Sequence, residues 1–573
     1  MYIDIVPNRS SPPAILLRES FREGGKIRKR TLANLSSMSA SQVEGLRAVL
    51  SGEQVVVASK AFEKTRDRQH GGYHAIETTM KRIGFHKLLD SRRSRERDLV
   101  VAMVASRILN PRSKLATCRT WGEYTVAEEL DIEGAKIKDL YGAMDWLFER
   151  QDRIEKKLAA RHLKDGGLAL YDLSSSYFEG EKCPLAKRGY SRDGKPGTLQ
   201  VNYGLLTNSS GIPVSVSVFP ANTSDPTTVV DQVKKLREDF GLNDIVLVGD
   251  RGMVTQKQID TIKQIDGTAW VTALRSNGIK ELVSDGSIQR GLFDENNLFE
   301  IQHEEYPGER LIACRNADLA KRRAHKREEL LVATEKELER VRKRVEAGKL
   351  KTAADIGVKV GQVIGKYNVK KHFSWTISET SFSYSRKHEQ ISQEAALDGI
   401  YVIRTSLTPD RASTADTVRT YKKLCRVERA FRTIKTDALS VRPIRHTLED
   451  RVRTHIFLCV LAYYVEWHMR DAWKTILFSD EMTEAEKDLR DPVAPAKRSP
   501  AAVKKVQSRK RPDGSEVWDF RSLLTHLGTI VRSTCRIRIS GSDVPSFDLD
   551  TTPTPGQAKA LALLREGQTY PVA

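Results

Sequence analysis

The sequence contains few cysteines and none of the arrangements that cysteine chemistry requires. Its six cysteines lie far apart, with no Cys-x-x-Cys pair and no histidines at the spacing of zinc ligands. These absences exclude a zinc finger and a disulfide framework, so we expect reduced thiols. The six are Cys118, Cys183, Cys314, Cys425, Cys459 and Cys535.

Two further absences narrow the class of protein. The sequence has no G-x-x-x-x-G-K-[S/T] loop, so we expect no nucleotide cofactor. The first residues, MYIDIVPNRS, lack the apolar stretch of a secretion signal. The best candidate for a membrane segment, Ile456 to Val465, is too short and ends at Glu466. We therefore expect a cytoplasmic protein with no membrane partner.

The composition indicates a folded, basic, multi-domain protein. With 573 residues the chain exceeds the size at which a single hydrophobic core keeps growing. Hydrophobic residues make up 39% and charged residues 30%, which is typical of packed domains rather than disordered chains. The formal net charge of +20 favours nucleic acid as a partner, because a polyanion attracts such a surface. A basic protein that is merely soluble is the alternative.

Two aspartates stand where apolar runs end. Between Gly167 and Leu274 three apolar runs, a helical stretch and two more apolar runs predict a mixed α/β sheet. Asp172 comes at the end of the run LALYD, and Asp250 at the end of DIVLVGD. Either aspartate alone is more often a turn or cap residue. Two strand-end aspartates in one sheet instead suggest a shared metal site.

A glutamate on a predicted helix completes this set. In TYKKLCRVERAFRTIK, a helical turn of about 100 degrees per residue places Tyr421, Cys425, Arg432 and Lys435 on the stripe of Glu428. An ordinary surface helix with Glu428 paired to Arg432 is the alternative. Three carboxylates can hold two Mg²⁺ ions for phosphodiester chemistry. The apolar stripe beside them contains Leu424, Val427, Phe431 and Ile434.

These motifs resemble those of the DDE transposases of bacterial insertion sequences, in the branch with a large insertion before the final glutamate. The similar parts are YDLSSSYFEG, VLVGDRGM, and Y-x-x-L-x-x-V-E-x-x-F-R-x-x-K followed by RPIRH. The resemblance covers most of the chain beyond residue 90. It implies an RNase H-like mixed sheet flanked by helices, with additional helical and small β-containing domains. It also implies Mg²⁺, or Mn²⁺, held by Asp172, Asp250 and Glu428 as the catalytic residues.

The resemblance assigns roles to residues on the glutamate helix. The family signature is Y-x-x-R-x-x-x-E-x-x-x-x-x-x-K, and Tyr421, Glu428 and Lys435 match it, whereas Leu424 replaces the arginine. Tyr421 and Lys435 are expected to contact the DNA backbone near the cut, which suits an aromatic ring and an ammonium group. Arg432 is expected to add a donor. Arg251, directly after Asp250, is a further candidate for DNA contact.

The sequence patterns and the resemblance together divide the chain into six regions. Within the insertion, Lys321 to Lys349 predicts a long charged helix that is either a solvated hairpin or a DNA contact. The predicted regions are a β-rich module (1–80), a helical DNA-binding domain (81–166), the first part of the RNase H-like core (167–275), an insertion domain (276–397), the second part of the core (398–475) and a C-terminal region (476–573).

The resemblance implies an enzyme that binds the terminal inverted repeats of its element, cuts both ends and joins them to target DNA. Its partners would be these double-stranded DNAs and a second copy of the chain when the ends are paired, in a bacterial cytoplasm at the nucleoid. A catalytically idle DNA-binding regulator derived from a transposase is the main alternative. An RNase H-like nuclease without strand transfer would share the same chemistry.

Overall fold

A computed structural model describes residues 1–53, 55, 62–293, 296–436, 438–537, 545–567, 569 and 570. The chain forms two compact units, which are Met1–Gln69 with Ile530–Thr552, and His70–Thr529 with Pro553–Ala573. The six regions predicted from the sequence are a finer division, and they remain predictions.

The first 166 residues contain short strands and then helices. The N-terminal strands and helix are β1 (Tyr2–Val6), β2 (Ala14–Glu23), β3 (Lys26–Asn34), α1 (Ala40–Leu50) and β4 (Phe62–Gln69). The helices that follow are α2 (Gly71–Arg82), α3 (Phe85–Leu89), α4 (Arg95–Leu109), α5 (Lys114–Thr120), α6 (Val126–Glu129), α7 (Ile137–Phe148) and α8 (Gln151–His162).

The middle of the chain alternates between strands and helices. It contains β5 (Gly167–Tyr177), β6 (Lys187–Arg188), β7 (Leu199–Asn208), β8 (Pro213–Pro220), α9 (Thr227–Lys234), β9 (Ile245–Gly249), α10 (Gln256–Ile262) and β10 (Thr268–Ala273). The next elements are α11 (Ser276–Ser284), β11 (Leu298–Ile301), β12 (Arg310–Arg315), α12 (Ala317–Glu346), α13 (Ala353–Tyr367), β13 (Phe373–Ile377), β14 (Phe382–Arg386), α14 (His388–Ala396) and β15 (Ile400–Thr405).

The last third of the chain is mainly helical. It contains α15 (Thr414–Lys422), α16 (Cys425–Lys435), α17 (Glu449–Ala472), α18 (Glu484–Asp488), α19 (Pro500–Ser508), α20 (Phe520–Leu527), β16 (Val531–Ile537), β17 (Ser546–Asp550) and α21 (Pro555–Glu566). Within the described residues, no helix is both long enough and apolar enough to cross a membrane.

The described part of the chain places nine strands in one large mixed sheet. Its order is β11-β12-β15-β10-β9-β5-β7-β6, and β8 pairs with β7. β5 is antiparallel to β7 and parallel to β9, which is parallel to β10. The order β8-β7-β5-β9-β10 with these directions is the RNase H-like arrangement, so the predicted fold class is confirmed.

The central strands of this sheet are buried along their length. β9 is buried at every position, and β7 at all but its two ends. Strands covered by helices on both faces read as continuous apolar runs, which is why the sequence shows runs rather than alternation here. α17 packs against β8, and α16 packs against β5. These two helices also pack against each other, so together they cover the sheet beside the strand ends that carry the aspartates.

The segment between β10 and β15 contributes to the sheet and also forms its own core. β11 and β12 extend the large sheet beyond β15. α12 and α13 pack against the β13–β14 hairpin through a separate apolar cluster that includes Leu338, Ile356 and Phe373. The chain therefore leaves the sheet, builds a small helical layer and returns through β15.

The smaller unit contains two three-stranded sheets. One has the order β1-β2-β3, and the other has the order β17-β16-β4. In the second sheet β4, from the start of the chain, pairs antiparallel with β16, from near its end. This pairing is the reason that the unit includes residues from both ends of the sequence.

Candidate active site

Asp172 and Asp250 lie side by side on neighbouring strands. In the parallel pair of β5 and β9, Tyr171 is the partner of Gly249, and each aspartate is the residue that directly follows. Neighbouring strands are about 4.8 Å apart, and residues in register project on the same face of a sheet. The strand register therefore brings these two carboxylates to one face at the same level.

Asp172 is half-buried, and its surroundings disfavour its charge. Burial, together with the negative charges of Asp250 and Glu428, raises the pKa of Asp172 to about 7. Two features oppose this rise, the backbone N–H of Leu173, which donates to Asp172 Oδ1 at 2.8 Å, and the positive charge of Arg192. The rise comes mainly from burial, and the charges of Asp250 and Glu428 contribute less.

Glu428 is presented by a helix that is anchored on the sheet. The buried face of α16 contains Val427, Ala430, Phe431 and Ile434. The ring of Phe431 meets the ring of Tyr203 on β7 edge to face, with centroids 5.7 Å apart. Glu428 itself is exposed, and its charge acts on both Asp172 and Tyr421. The apolar stripe predicted from the sequence is thus the face that fixes this helix.

Tyr421 lies on a different helix from Glu428. The sequence predicted one helix through both residues, but α15 ends at Lys422 and α16 begins at Cys425. The Tyr421 hydroxyl donates to Asp250 Oδ1 at 3.2 Å. Burial and the neighbouring Asp250 carboxylate raise the pKa of Tyr421, so the hydroxyl remains protonated. Tyr421, at the end of α15, therefore binds the Asp250 carboxylate, whereas Glu428 is presented by the next helix, α16.

Lys435 is engaged in a buried ion pair. Its ammonium group donates to Asp193 Oδ1 at 2.9 Å, and Arg442 contacts the same carboxylate oxygen. The side chain of Asp193 is 0% exposed and that of Lys435 is 10% exposed. The backbone N–H of Tyr177 donates to Asp193 Oδ2 at 3.0 Å. The carboxylate of Asp193 therefore links the end of α16 to the end of β5.

Sequence reasoning missed Arg192 and Asp193, which belong to the loop between β6 and β7. Arg192 pairs with Asp225, and its charge also acts on Asp172. The backbone N–H of Arg192 donates to Ser175 Oγ at 3.0 Å, which fastens the loop to β5. The loop sequence RGYSRDGKPG contains ordinary turn residues. The sequence of this loop therefore does not indicate that Arg192 and Asp193 contact the site.

The other predicted DNA contacts lie at the surface. Arg251 and Arg432 are both exposed, and neither forms an ion pair within the described chain. His455, on α17, is not among these predicted contacts; it is buried and donates from Nε2 to the Val441 carbonyl at 2.9 Å. Burial holds the pKa of His455 well below its ordinary value, so the ring is neutral and part of the core.

The side chains of the described residues do not form a complete metal-binding site. No group of three or more His, Cys, Asp or Glu side chains there lies in a geometry that could hold a metal ion. The three carboxylates influence one another electrostatically, as the pKa of Asp172 demonstrates. Their convergence on one cation therefore stays a prediction.

Comparison with known proteins relates two parts of the chain to transposases. Residues 171–465 match the family described as Transposase DDE domain, and residues 3–59 match the IS1634 family transposase, N-terminal domain. No curated protein matches the chain. A cryo-electron microscopy structure of the piggyBac transposase synaptic complex with hairpin DNA is 9% identical, with a TM-score of 0.33, over 78% of this chain and 87% of that chain. Because the first match covers more than half of the sequence, the chain belongs to the DDE transposases of insertion sequences.

Proposed function

We propose that this transposase binds the terminal inverted repeats of its element and performs metal-dependent DNA strand cleavage and strand transfer, moving the element by cut-and-paste transposition. One observation carries the proposal. Asp172 and Asp250 follow paired residues on adjacent parallel strands, and the charge of Glu428 reaches Asp172. A nuclease or transferase of this family needs carboxylates at one place, and the register supplies two of them there.

The carboxylates of Asp172, Asp250 and Glu428 are of the chemical type that binds a divalent cation. Carboxylate oxygens are the ligands that Mg²⁺ and Mn²⁺ prefer. Burial first, and then the neighbouring charges of Asp250 and Glu428, disfavour the charged form of Asp172, which a bound cation would stabilise. Asp172, Asp250 and Glu428 would hold the cation. When bound, it would supply activation of the attacking water or 3′-hydroxyl and stabilisation of the leaving oxygen.

The protein's own groups would prepare this site. The hydroxyl of Tyr421 orients the Asp250 carboxylate by donating to one of its oxygens, which leaves the other oxygen available. The Leu173 N–H orients the Asp172 carboxylate in the same way. α16 keeps Glu428 on the solvent side of the site, where DNA would approach. No nucleotide cofactor enters this scheme, since one phosphodiester is exchanged for another.

DNA contact is proposed for Arg251, Tyr421, Arg432 and Lys435. Arg251 and Arg432 are exposed and would bind backbone phosphates directly. Lys435 would have to exchange Asp193 for a phosphate, because its ammonium group is already paired. The helices of residues 81–166 would supply further affinity for the repeats. A second copy of the chain would join when two ends are paired, in the cytoplasm at the nucleoid.

A cleavage assay with Glu428→Gln tests the proposal. The substrate is a duplex carrying the repeats that flank the reading frame, incubated with Mg²⁺. Glu428→Gln should abolish cleavage and leave binding in a gel shift almost unchanged, because the substitution removes a ligand charge and keeps the shape. The matched control is Glu516→Gln, at an exposed glutamate outside the site, which should cut like the wild type.

Two outcomes would contradict the proposal. If Glu428→Gln cuts as fast as the control, the carboxylate assignment is wrong at its central residue. If the wild type binds the repeats and never cuts or joins them, the chain acts as a DNA-binding regulator.

A further inference from the structure

A large pocket opens directly beside the candidate active site. Its volume is about 1100 Å³, and Asp250, Arg251 and Tyr421 are among its lining residues. The lining also contains residues of α11, α12 and the end of α13, together with Leu274, just after β10, and Tyr401, near the start of β15. The pocket therefore connects the aspartate at the end of β9 to the helices of the insertion.

The wall formed by α12 is strongly basic. Leu319, Arg322, Arg323, Lys326 and Leu330 line the pocket, and their spacing places them on one face of the helix. The three cations on this face are exposed. Across the pocket, Lys280 on α11 and Arg251 add two more cations.

Three acidic residues line the pocket: Asp250, at the candidate active site, and Glu394 and Asp398, which are already paired with other cations. Asp398 is bound by Arg327, whose Nη1 donates to Asp398 Oδ1 at 3.0 Å. Glu394 is bound by Lys371, with 2.7 Å between Nζ and Oε2, and by His372. In the part of the chain that the structure describes, Arg322, Arg323, Lys326, Lys280 and Arg251 form no ion pair with a carboxylate. The pocket thus holds a surplus of positive charge.

Three tyrosines interrupt this basic lining. Tyr367, Tyr401 and Tyr421 are half-buried and all line the pocket. Grooves that combine cations with aromatic side chains are typical of single-stranded nucleic acid sites, because the cations follow the phosphates and the rings stack on bases. A pocket enclosed by helices on several sides also suits one strand better than a duplex.

We propose that this pocket binds a single strand of DNA that leads away from the phosphate being cut. The inference rests on the proposed function, because cleavage beside Asp250 would create such a strand end. Arg322, Arg323 and Lys326 would bind its phosphates, and the tyrosines would stack on its bases. The insertion then has a defined task, which is to hold a separated strand next to the carboxylates.

Fluorescence anisotropy on the full-length protein tests the proposal without any cleavage. The probes are a labelled oligothymidylate of about 20 nucleotides and a duplex of the same length, each measured in EDTA over a range of salt concentrations. The test variant is Arg322→Ala/Arg323→Ala/Lys326→Ala. The matched control is Lys336→Ala/Lys343→Ala/Arg344→Ala, which removes the same charge from exposed positions of the same helix outside the pocket.

The test variant should bind the single strand roughly tenfold or more weakly than the wild type. Its slope of log affinity against log salt should fall by about 2, at ~0.7 per lost phosphate contact on a single strand. The control variant should stay within about twofold of the wild type. Thermal unfolding of both variants should match the wild type, since all six side chains are exposed.

Three results would overturn the proposal. These are equal losses in the test and control variants, a loss confined to the duplex probe, and a wild type that does not bind the single strand. Failure of the proposed function is a separate outcome, because a protein that never cuts DNA can still show the expected difference between these two variants.

Discussion

Two regions of the larger unit bury a lysine, and they differ in what surrounds it. Lys435, at the end of α16, is paired with the Asp193 carboxylate. Lys114, at the start of α5, has Arg107 as a charged neighbour and forms no ion pair with a carboxylate of the described chain. Burial lowers the pKa of both lysines, and for Lys114 it falls to about 7. The charge of a buried lysine can therefore be balanced by a carboxylate, as at Lys435, or removed by loss of the proton, as favoured at Lys114. The sequence alone does not distinguish these two cases.

Removing the partner carboxylate should have the largest effect on stability. Asp193→Ala leaves the cations of Lys435 and Arg442 without their shared acceptor, which should cost about 3–5 kcal/mol of unfolding free energy. Urea denaturation measures this loss. Asp239→Ala, at an exposed aspartate, should change the same quantity by less than about 0.5 kcal/mol. Adding Lys435→Met to Asp193→Ala should recover part of the loss, and no recovery would show that Lys435 is not the buried charge left without a partner.

The second region should respond to pH. The pKa of Lys114 is about 7 in the folded protein and 10.5 as a free side chain, so the unfolded chain binds more protons between these values. The free energy of unfolding of the wild type should therefore rise across this window. Lys114→Met should stabilise the protein by roughly 2–4 kcal/mol at pH 7, with the gain shrinking towards pH 10.5. A gain that is independent of pH would mean that Lys114 does not titrate there.

A smaller loss is expected when Lys435 alone is replaced. Lys435→Met leaves Asp193 bound to Arg442 and to the Tyr177 N–H, so the cost should be about 1–3 kcal/mol in urea denaturation. The DNA role is measured by the salt dependence of binding to the terminal-repeat duplex. A lost phosphate contact should lower that slope by about 1, whereas a purely structural residue leaves it unchanged.

The smallest change in stability is expected at Arg432. This residue is exposed on α16, so Arg432→Ala should alter the unfolding free energy by less than about 0.5 kcal/mol. It should still lower the salt slope of duplex binding by about 1 if it contacts a phosphate. Arg432 and Lys435 thus form a matched pair, and a slope change in Arg432→Ala alone would assign Lys435 to structure.

The sequence was informative where local pattern controls the geometry. The buried runs that end at Asp172 and Asp250 predicted two strands of one sheet, and the structure pairs Tyr171 with Gly249 on adjacent strands of that sheet. The apolar stripe of α16 was predictable because helical periodicity alone fixes a face. In both cases the information lies within about one element of the residue concerned.

The rest of the site depends on contacts between distant parts of the chain. Lys435 and Asp193 are separated by 242 positions, so no local pattern could pair them. The break between α15 and α16 has no local signal, because the sequence there has good helix formers and no proline. The two helices pack against different strands, α15 against β10 and β15 and α16 against β5 and β7. Likewise, β11 and β12 joined the sheet from within the predicted insertion, where short strands resembled a loop.

The pairing of β4 with β16 has a consequence for protein synthesis. Arg68 on β4 bonds to Thr534 on β16, which is 466 residues later in the chain. During translation, the sheet that contains β4 cannot form until the residues of β16, Val531–Ile537, have left the ribosome. The strands of the large mixed sheet can therefore form before β4 pairs with β16 in the smaller unit. A truncated product that ends before residue 530 lacks β16 and cannot form the sheet β17-β16-β4.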